Sequence, residues 1–137
     1  MGLILDSSVV IDAERRGETV ERLIERIVHS TGDQDAALSS VGLTEIVHGI
    51  YRASTPAIRS SREAFLEELL ADLTVYPFTR ETAMLAGRLD AEQQSKGVVV
   101  PFADLLIGAT ALALSFSVLT VNVRHFERIP GLAVVRL

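Results

Sequence analysis

Short apolar runs alternate along this chain with longer segments in which apolar residues recur every three or four positions. The first run, Gly2–Leu5, ends at Asp6, and a one-sided helical stripe follows over Val20–Val28. Continuous apolar runs are typical of strands buried on both faces of a parallel sheet, which helices must connect. The alternation predicts an α/β fold, a single domain over residues 1–137. We expect three α/β/α layers around a short, mainly parallel sheet.

Local signals give the boundaries of the elements. Thr55 followed by Pro56 is the clearest helix start, because threonine can cap a first turn and proline suits the first helical position. We expect strands at Gly2–Leu5, Ala36–Ser39, Thr74–Phe78, Val118–Val121 and Ala133–Leu137. We expect helices from a Ser7 or Ser8 cap to Arg15, over Glu18–His29, Val41–Ala53 and Pro56–Leu73, from a Thr79 cap to Gly97, over Pro101–Ser115, and a short turn at Val123–Arg128.

Composition excludes several classes of protein. An apolar content of 48% is too high for a disordered chain, and no apolar run reaches the roughly 18 residues that span a bilayer. With no cysteine, disulfides and thiolate metal sites are excluded. The first residues show no basic segment and no small-residue cleavage site, so we expect no signal peptide. These features predict a cytoplasmic protein that does not associate with membranes.

The net charge of −5 argues against general attraction to a polyanion. Any contact with nucleic acid must therefore use a local basic patch or be assisted by bound cations.

Four polar residues stand at predicted junctions between strands and helices. Asp6 ends the first strand, Glu45 lies early in the helix after the second, Asp104 lies in the first turn after Pro101, and Asn122 follows the fourth strand. In open α/β sheets, ligands bind at the carboxyl ends of the strands. We therefore expect these four side chains to meet at one rim of the sheet.

The three carboxylates are flanked by apolar residues, which makes their charge costly unless it is paired. No lysine or arginine lies within three residues of Asp6 or Asp104. A hard divalent cation suits such an all-oxygen group. Taken singly, Asp6 could cap a helix, Asp104 could complement a helix dipole and Glu45 could be solvated. Together they favour a metal site.

Other phosphate chemistries do not fit the sequence. Ser8 stands where a haloacid-dehalogenase-type phosphatase needs a second aspartate, and Lys96 is misplaced for a receiver domain. Neither a glycine-rich phosphate loop nor a serine nucleophile elbow is present. The histidines match no zinc spacing, and we expect structural roles for His29 and His48.

Four segments contain the acidic residues or Asn122 together with their apolar flanks. They are Leu5-Asp6-Ser7-Ser8-Val9-Val10-Ile11, Leu43-Thr44-Glu45-Ile46 with Gly49, Pro101-Phe102-Ala103-Asp104-Leu105-Leu106-Ile107-Gly108-Ala109-Thr110-Ala111, and Leu119-Thr120-Val121-Asn122-Val123-Arg124-His125-Phe126. In this order they resemble the four motifs of PIN-domain nucleases of the VapC toxin type. The resemblance extends over essentially the whole chain. It implies an endoribonuclease of a toxin–antitoxin system that uses Mg²⁺ or Mn²⁺, forms a homodimer and is neutralised by a small antitoxin.

The resemblance also implies roles for individual residues. Asp6 and Asp104 would hold the metal with help from Glu45, and Ser7 would support them. A water activated by the metal would attack the phosphodiester in line, leaving a 3′-hydroxyl and a 5′-phosphate. Glu45 or Asp6 would orient or deprotonate that water. Arg124 is a candidate to hold a neighbouring phosphate.

The fourth motif departs from the family pattern. Many relatives carry aspartate where this chain has Asn122, His125, or both, so a fourth carboxylate ligand is missing. Asn122 could support the site through hydrogen bonding, and we expect His125 to pack beside Phe126 rather than to contact substrate. This departure keeps an alternative open, a PIN-like binding or assembly module with weakened catalysis.

Overall fold

The computed structural model describes residues 1–137 as five strands and seven helices. The strands are β1 (Gly2–Leu5), β2 (Asp35–Ser39), β3 (Thr74–Tyr76), β4 (Ser117–Thr120) and β5 (Val134–Arg136). The helices are α1 (Ser7–Arg15), α2 (Val20–Thr31), α3 (Ser40–Tyr51), α4 (Pro56–Asp72), α5 (Arg80–Ser95), α6 (Phe102–Leu114) and α7 (Val123–Phe126).

The five strands form one sheet in the order β3-β2-β1-β4-β5, and every pair is parallel. The chain leaves the central β1 towards β2 and β3, then returns to build β4 and β5 on the other side. The crevice at the carboxyl ends of β1 and β4 is therefore the topological switch point, where ligands bind in open sheets of this kind.

Alternate residues of β1 face opposite cores. Leu3 and Leu5 pack with apolar side chains of α1 to α4, whereas Ile4 packs with those of α5, α6 and α7. All three side chains are fully buried. Helices thus cover both faces of the sheet, which confirms the predicted three-layer α/β/α fold.

Threonine caps begin three helices. The hydroxyls of Thr19, Thr55 and Thr79 accept hydrogen bonds from backbone N–H groups of the first turn of α2, α4 and α5. The caps at Thr55 and Thr79 are as predicted, but α2 begins two residues later than expected. Glu18, the predicted first residue, instead pairs with Arg26 at 2.8 Å.

The predicted cap of α1 at Ser7 or Ser8 is wrong. Both serines lie inside the helix, and Asp6 stands at the N-cap position with an extended backbone. The Asp6 N–H donates to the carbonyl of Leu119, so the sheet ladder extends one residue beyond β1, and α1 begins directly after it, earlier than predicted. The Asp6 side chain makes no capping bond.

The apolar helix α6 lies close to the segment after α7. A Cβ added at Gly108 would meet Ile129 Cδ1 at 2.5 Å and Leu132 Cδ2 at 3.3 Å. This close approach anchors α6, whose first turn carries Asp104. None of the helices combines the length and the hydropathy needed to cross a bilayer.

Candidate active site

Asp6 lies at the carboxyl end of β1 and is 3% exposed. Its Oδ2 accepts hydrogen bonds from Ser8 Oγ at 2.6 Å and from Thr120 Oγ1 at 2.9 Å. The parallel register of β1 and β4 pairs Leu5 with Leu119, which brings Thr120 beside Asp6. Oδ1 accepts no hydrogen bond from the protein, so it is the free acceptor of this fixed carboxylate.

Glu45 projects from α3 and is half-buried. Its Oε1 accepts a 2.9 Å hydrogen bond from Ser7 Oγ, and Ser7 itself is 7% exposed. The contact ties α3 to the first residue of α1 and leaves Oε2 without a protein donor.

Asp104 lies in the first turn of α6 with its side chain 13% exposed. Burial raises the pKa of this carboxyl above its usual value, and the negative charge of Asp6 and, less strongly, of Glu45 raises it further. His125 Nδ1, 2.9 Å from Asp104 Oδ2, lowers that pKa in part. The fold thus brings the three predicted carboxylates close enough for their charges to oppose one another.

Asn122 and Arg124 lie at the rim of this group, and both are exposed. Asn122 occupies the N-cap position of α7, and its side chain makes no capping bond. Its backbone N–H donates to Thr120 Oγ1 at 2.9 Å, so Asn122 is linked to Asp6 through the main chain and Thr120. Arg124 forms no ion pair.

Three contacts of this site are absent from the sequence-based prediction. Ser8 and Thr120 both orient Asp6, and His125 Nδ1 lies 2.9 Å from Asp104 Oδ2 while its side chain is 49% exposed. The only sequence feature that could have identified Ser8 and Thr120 is their position, because Ser8 follows Asp6 by two residues and Thr120 lies next to the end of a predicted strand.

The chemistry of the three acidic side chains suits a hard divalent cation, because all of them offer oxygen ligands. Asp6 and Glu45 each keep one carboxylate oxygen that accepts no hydrogen bond from the protein. No three acidic or histidine side chains stand close enough to form a complete coordination group. Each carboxylate contacts a different protein partner. Asp6 is held by Ser8 and Thr120, Glu45 by Ser7, and Asp104 by His125. Binding a cation therefore requires these side chains to converge.

A cleft of about 870 Å³ opens beside Ser7 and Glu45, between α1 and α3. Its lining includes three arginines, one histidine and a single carboxylate: Arg15, Arg52, Arg62, His48 and Glu45. The cleft is therefore positively charged next to a negatively charged group.

Comparison with known proteins gives one consistent result. A family model described as PIN domain matches residues 3–132. Ribonuclease VapC of Rickettsia bellii is 33% identical over 135 residues, covering 98% of this chain and 96% of that protein. Ribonuclease VapC1 of Rickettsia felis is 31% identical with the same coverage. The DNA-bound VapBC structure from Salmonella typhimurium superposes with a TM-score of 0.83 at 26% identity, covering 99% of this chain and 98% of that one.

Proposed function

Because this chain belongs to the PIN-domain family and is similar over nearly its whole length to VapC ribonucleases, we propose that it is a metal-dependent endoribonuclease. It would serve as the toxin of a VapBC-type toxin–antitoxin pair. The observation that carries the proposal is the group of three carboxylates at the switch point, where burial and then the charges of Asp6 and Glu45 raise the pKa of Asp104.

Asp6 and Asp104 are the proposed ligands of Mg²⁺ or Mn²⁺, with help from Glu45. A divalent cation supplies an activated water and offsets the charge of the scissile phosphate. Ser8 and Thr120 fix Asp6 through Oδ2, so that Oδ1 has no competing protein donor and would be free to bind the ion.

Glu45 is the proposed proton acceptor. Ser7 holds its Oε1, which leaves Oε2 to take a proton from the attacking water. The water oxygen bonds to phosphorus while the bond from phosphorus to the 3′ oxygen breaks, and that oxygen takes up a proton from the solvent. The products are a 3′-hydroxyl and a 5′-phosphate. Arg124, exposed beside Asn122, is proposed to hold a neighbouring phosphate.

The experiment is cleavage of cellular RNA with Mg²⁺ or Mn²⁺ and with excess chelator. We expect cleavage only with metal, and loss of cleavage in Asp6→Asn and Asp104→Asn. Asp33→Asn is the matched control, because Asp33 is an exposed aspartate in no ion pair. Cleavage that persists in excess chelator would contradict the proposal.

A second candidate function is a PIN-like binding or assembly module with weakened catalysis. It is favoured by the missing fourth carboxylate at Asn122 and by His125, which occupies Asp104 Oδ2. Thermal unfolding with and without Mn²⁺ separates the two, since a ligand that binds the folded state raises the Tm. A module without a metal site would show no shift.

The proposed partners are a small antitoxin protein and a second copy of this chain. Helix α2 buries Val20, Leu23 and Ile27 but leaves Val28 42% exposed, and α4 leaves Ile58 36% exposed. A partner would cover part of this apolar surface. The similar Salmonella structure is a VapBC complex, which supports an antitoxin partner. We place the activity in the cytoplasm, where the proposed RNA substrate occurs.

A further inference from the structure

The cleft between α1 and α3 begins at the active site and continues away from it. Ser7 and Glu45, which bond each other, line one part, and Arg15 and Arg52 line the cleft further along α1 and α3. Ser7, Ile11 and Arg15 are spaced by four residues along α1 and therefore share one face. Thr44, His48 and Arg52 repeat that spacing along α3.

This spacing gives the cleft a direction. At about 1.5 Å of rise per residue, Arg15 lies about 12 Å along α1 from Ser7, and Arg52, the residue directly after α3, lies about 10 Å from Glu45 along that helix. Both helices thus present a basic side chain at a similar distance from the Ser7–Glu45 contact. A chain molecule that enters the active site and leaves between α1 and α3 would pass both.

Arg15 and Arg52 have no ion-pair partner, unlike four other arginines of this protein. Arg16, Arg26 and Arg88 each lie within 4 Å of a carboxylate. Arg62, which also lines the cleft, is held by Glu14 at 3.4 Å and by the carbonyl of Gly49 at 2.8 Å. Arg15 and Arg52 are exposed and make no side-chain hydrogen bond, so both guanidinium groups can bind an external anion.

The charge of the whole protein makes such a local patch necessary for binding RNA. With a net charge of −5, the chain repels a polyanion at long range. The cleft reverses this locally, because Arg15 and Arg52 line it without an ion-pair partner, against the single carboxylate of Glu45. Guanidinium groups bind phosphate in a bidentate manner.

We propose that the cleft between α1 and α3 is the path of the RNA strand beside the scissile bond, and that Arg15 and Arg52 bind its backbone phosphates. The inference rests on the proposed ribonuclease function. Both arginines are positioning residues, which hold the strand while the carboxylates act on the scissile phosphate.

The test measures binding of a fluorescein-labelled single-stranded RNA of mixed sequence over a range of NaCl concentrations. The Asp104→Asn background keeps the RNA intact. The logarithm of the binding constant falls with the logarithm of salt concentration by about 0.7 per phosphate contact on a single strand. We expect Arg15→Gln and Arg52→Gln each to reduce that slope by about 0.7, and the double variant by about 1.4. Arg52→Lys should retain most of the slope.

Arg88→Gln is the matched control, because Arg88 is an exposed arginine on α5, in the opposite helical layer. It should leave the slope unchanged. Thermal unfolding of each variant checks that the fold is retained, since Arg15 also stands at the carboxyl end of α1.

An unchanged slope in the double variant would overturn the proposal. Binding of polyglutamate is measured in parallel as a model of an acidic peptide. If the double variant loses polyglutamate binding but keeps the salt dependence of RNA binding, the two arginines bind an acidic peptide, and the proposal is also overturned. The nuclease assay is separate. If the native protein cleaves RNA but the arginine variants keep the salt slope, the proposed RNA path is wrong and the ribonuclease function stands. If the arginine variants reduce the slope but the native protein does not cleave RNA, the RNA path stands and the ribonuclease function is wrong.

Discussion

Thr120 Oγ1 donates a 2.9 Å hydrogen bond to Asp6 Oδ2, which joins the ends of two strands that are 114 residues apart in sequence. Thr120 is fully buried and Asp6 is 3% exposed, so water does not replace this contact. The same hydroxyl accepts from the N–H of Asn122. One threonine therefore orients the central carboxylate and the start of α7.

Thr120→Val should weaken both stability and activity. The substitution keeps the shape but removes a hydrogen bond to a carboxylate, so the free energy of unfolding should fall by about 1.5–3 kcal/mol. Loss of a hydrogen bond that orients a metal-ligating carboxylate typically costs about 10- to 100-fold in metal affinity or activity. Urea unfolding and Mn²⁺-dependent RNA cleavage measure the two effects.

Thr110→Val is the control for that variant. Thr110 is also buried, but its hydroxyl donates to the carbonyl of Leu106 within α6. It should lose about 0.5–1.5 kcal/mol of stability and keep the cleavage rate. Equal losses of activity in the two variants would mean that Thr120 acts only through stability.

Ser7→Ala should release Glu45 without unfolding the protein. Because Ser7 Oγ is the protein's hydrogen-bond donor to Glu45 Oε1, its loss leaves the carboxylate free to turn. We expect kcat to fall by about 10- to 100-fold, as is typical when a group that orients a carboxylate is removed. Single-turnover cleavage measures this change. Ser61→Ala, at an exposed position of α4, should be neutral, and a Ser7→Ala enzyme of native kcat would argue against Glu45 as the base.

Asp104→Asn should abolish cleavage and leave the protein equally or more stable at neutral pH. The folded-state pKa of Asp104 is raised, so the fold favours its protonated form. Its contribution to stability is therefore fully present below the usual value of 3.8 and is lost as pH rises through the raised pKa. At neutral pH, removing the ionised group should add about 0.5–2 kcal/mol, the range of single stabilising substitutions.

Urea unfolding of both proteins across the acidic to neutral range checks this sign. The gain in the variant should shrink as the pH falls, because the native aspartate becomes protonated. A large loss of stability in Asp104→Asn would instead identify Asp104 as a structural partner of His125.

Asn122→Asp should tighten the binding of Mn²⁺. The new carboxylate would add one negative charge at the rim of the site. Since Asn122 is exposed, we expect a gain of up to about 1 kcal/mol, or about fivefold in Kd. The native chain should bind one ion well and fill a second position only when RNA phosphate adds ligands.

Calorimetric titration of both proteins decides the matter. Tight binding of two ions by the native chain without RNA, or no gain in the aspartate variant, would place Asn122 outside the metal site.

The order and type of the elements could be predicted from the sequence because they depend on local chemistry. Apolar runs indicated the strands, and the threonine caps at Thr55 and Thr79 marked helix starts to the residue. Asp6, Glu45 and Asp104 could be selected for the same reason, since each stands at a strand–helix junction with apolar flanks and lies in a family motif. The side chains that these three carboxylates contact could not be predicted from the sequence.

Those contacts depend on strand order and helix packing, which join residues far apart in sequence. Thr120 reaches Asp6 only because β4 lies beside β1, and His125 reaches Asp104 only because the short α7 packs against α6. Likewise, Arg15 and Arg52 share a cleft because α1 lies against α3. Local propensity determined at which junction between a strand and a helix each carboxylate stands. The nonlocal burial of apolar faces against one another decided which hydroxyl, imidazole and guanidinium groups surround it.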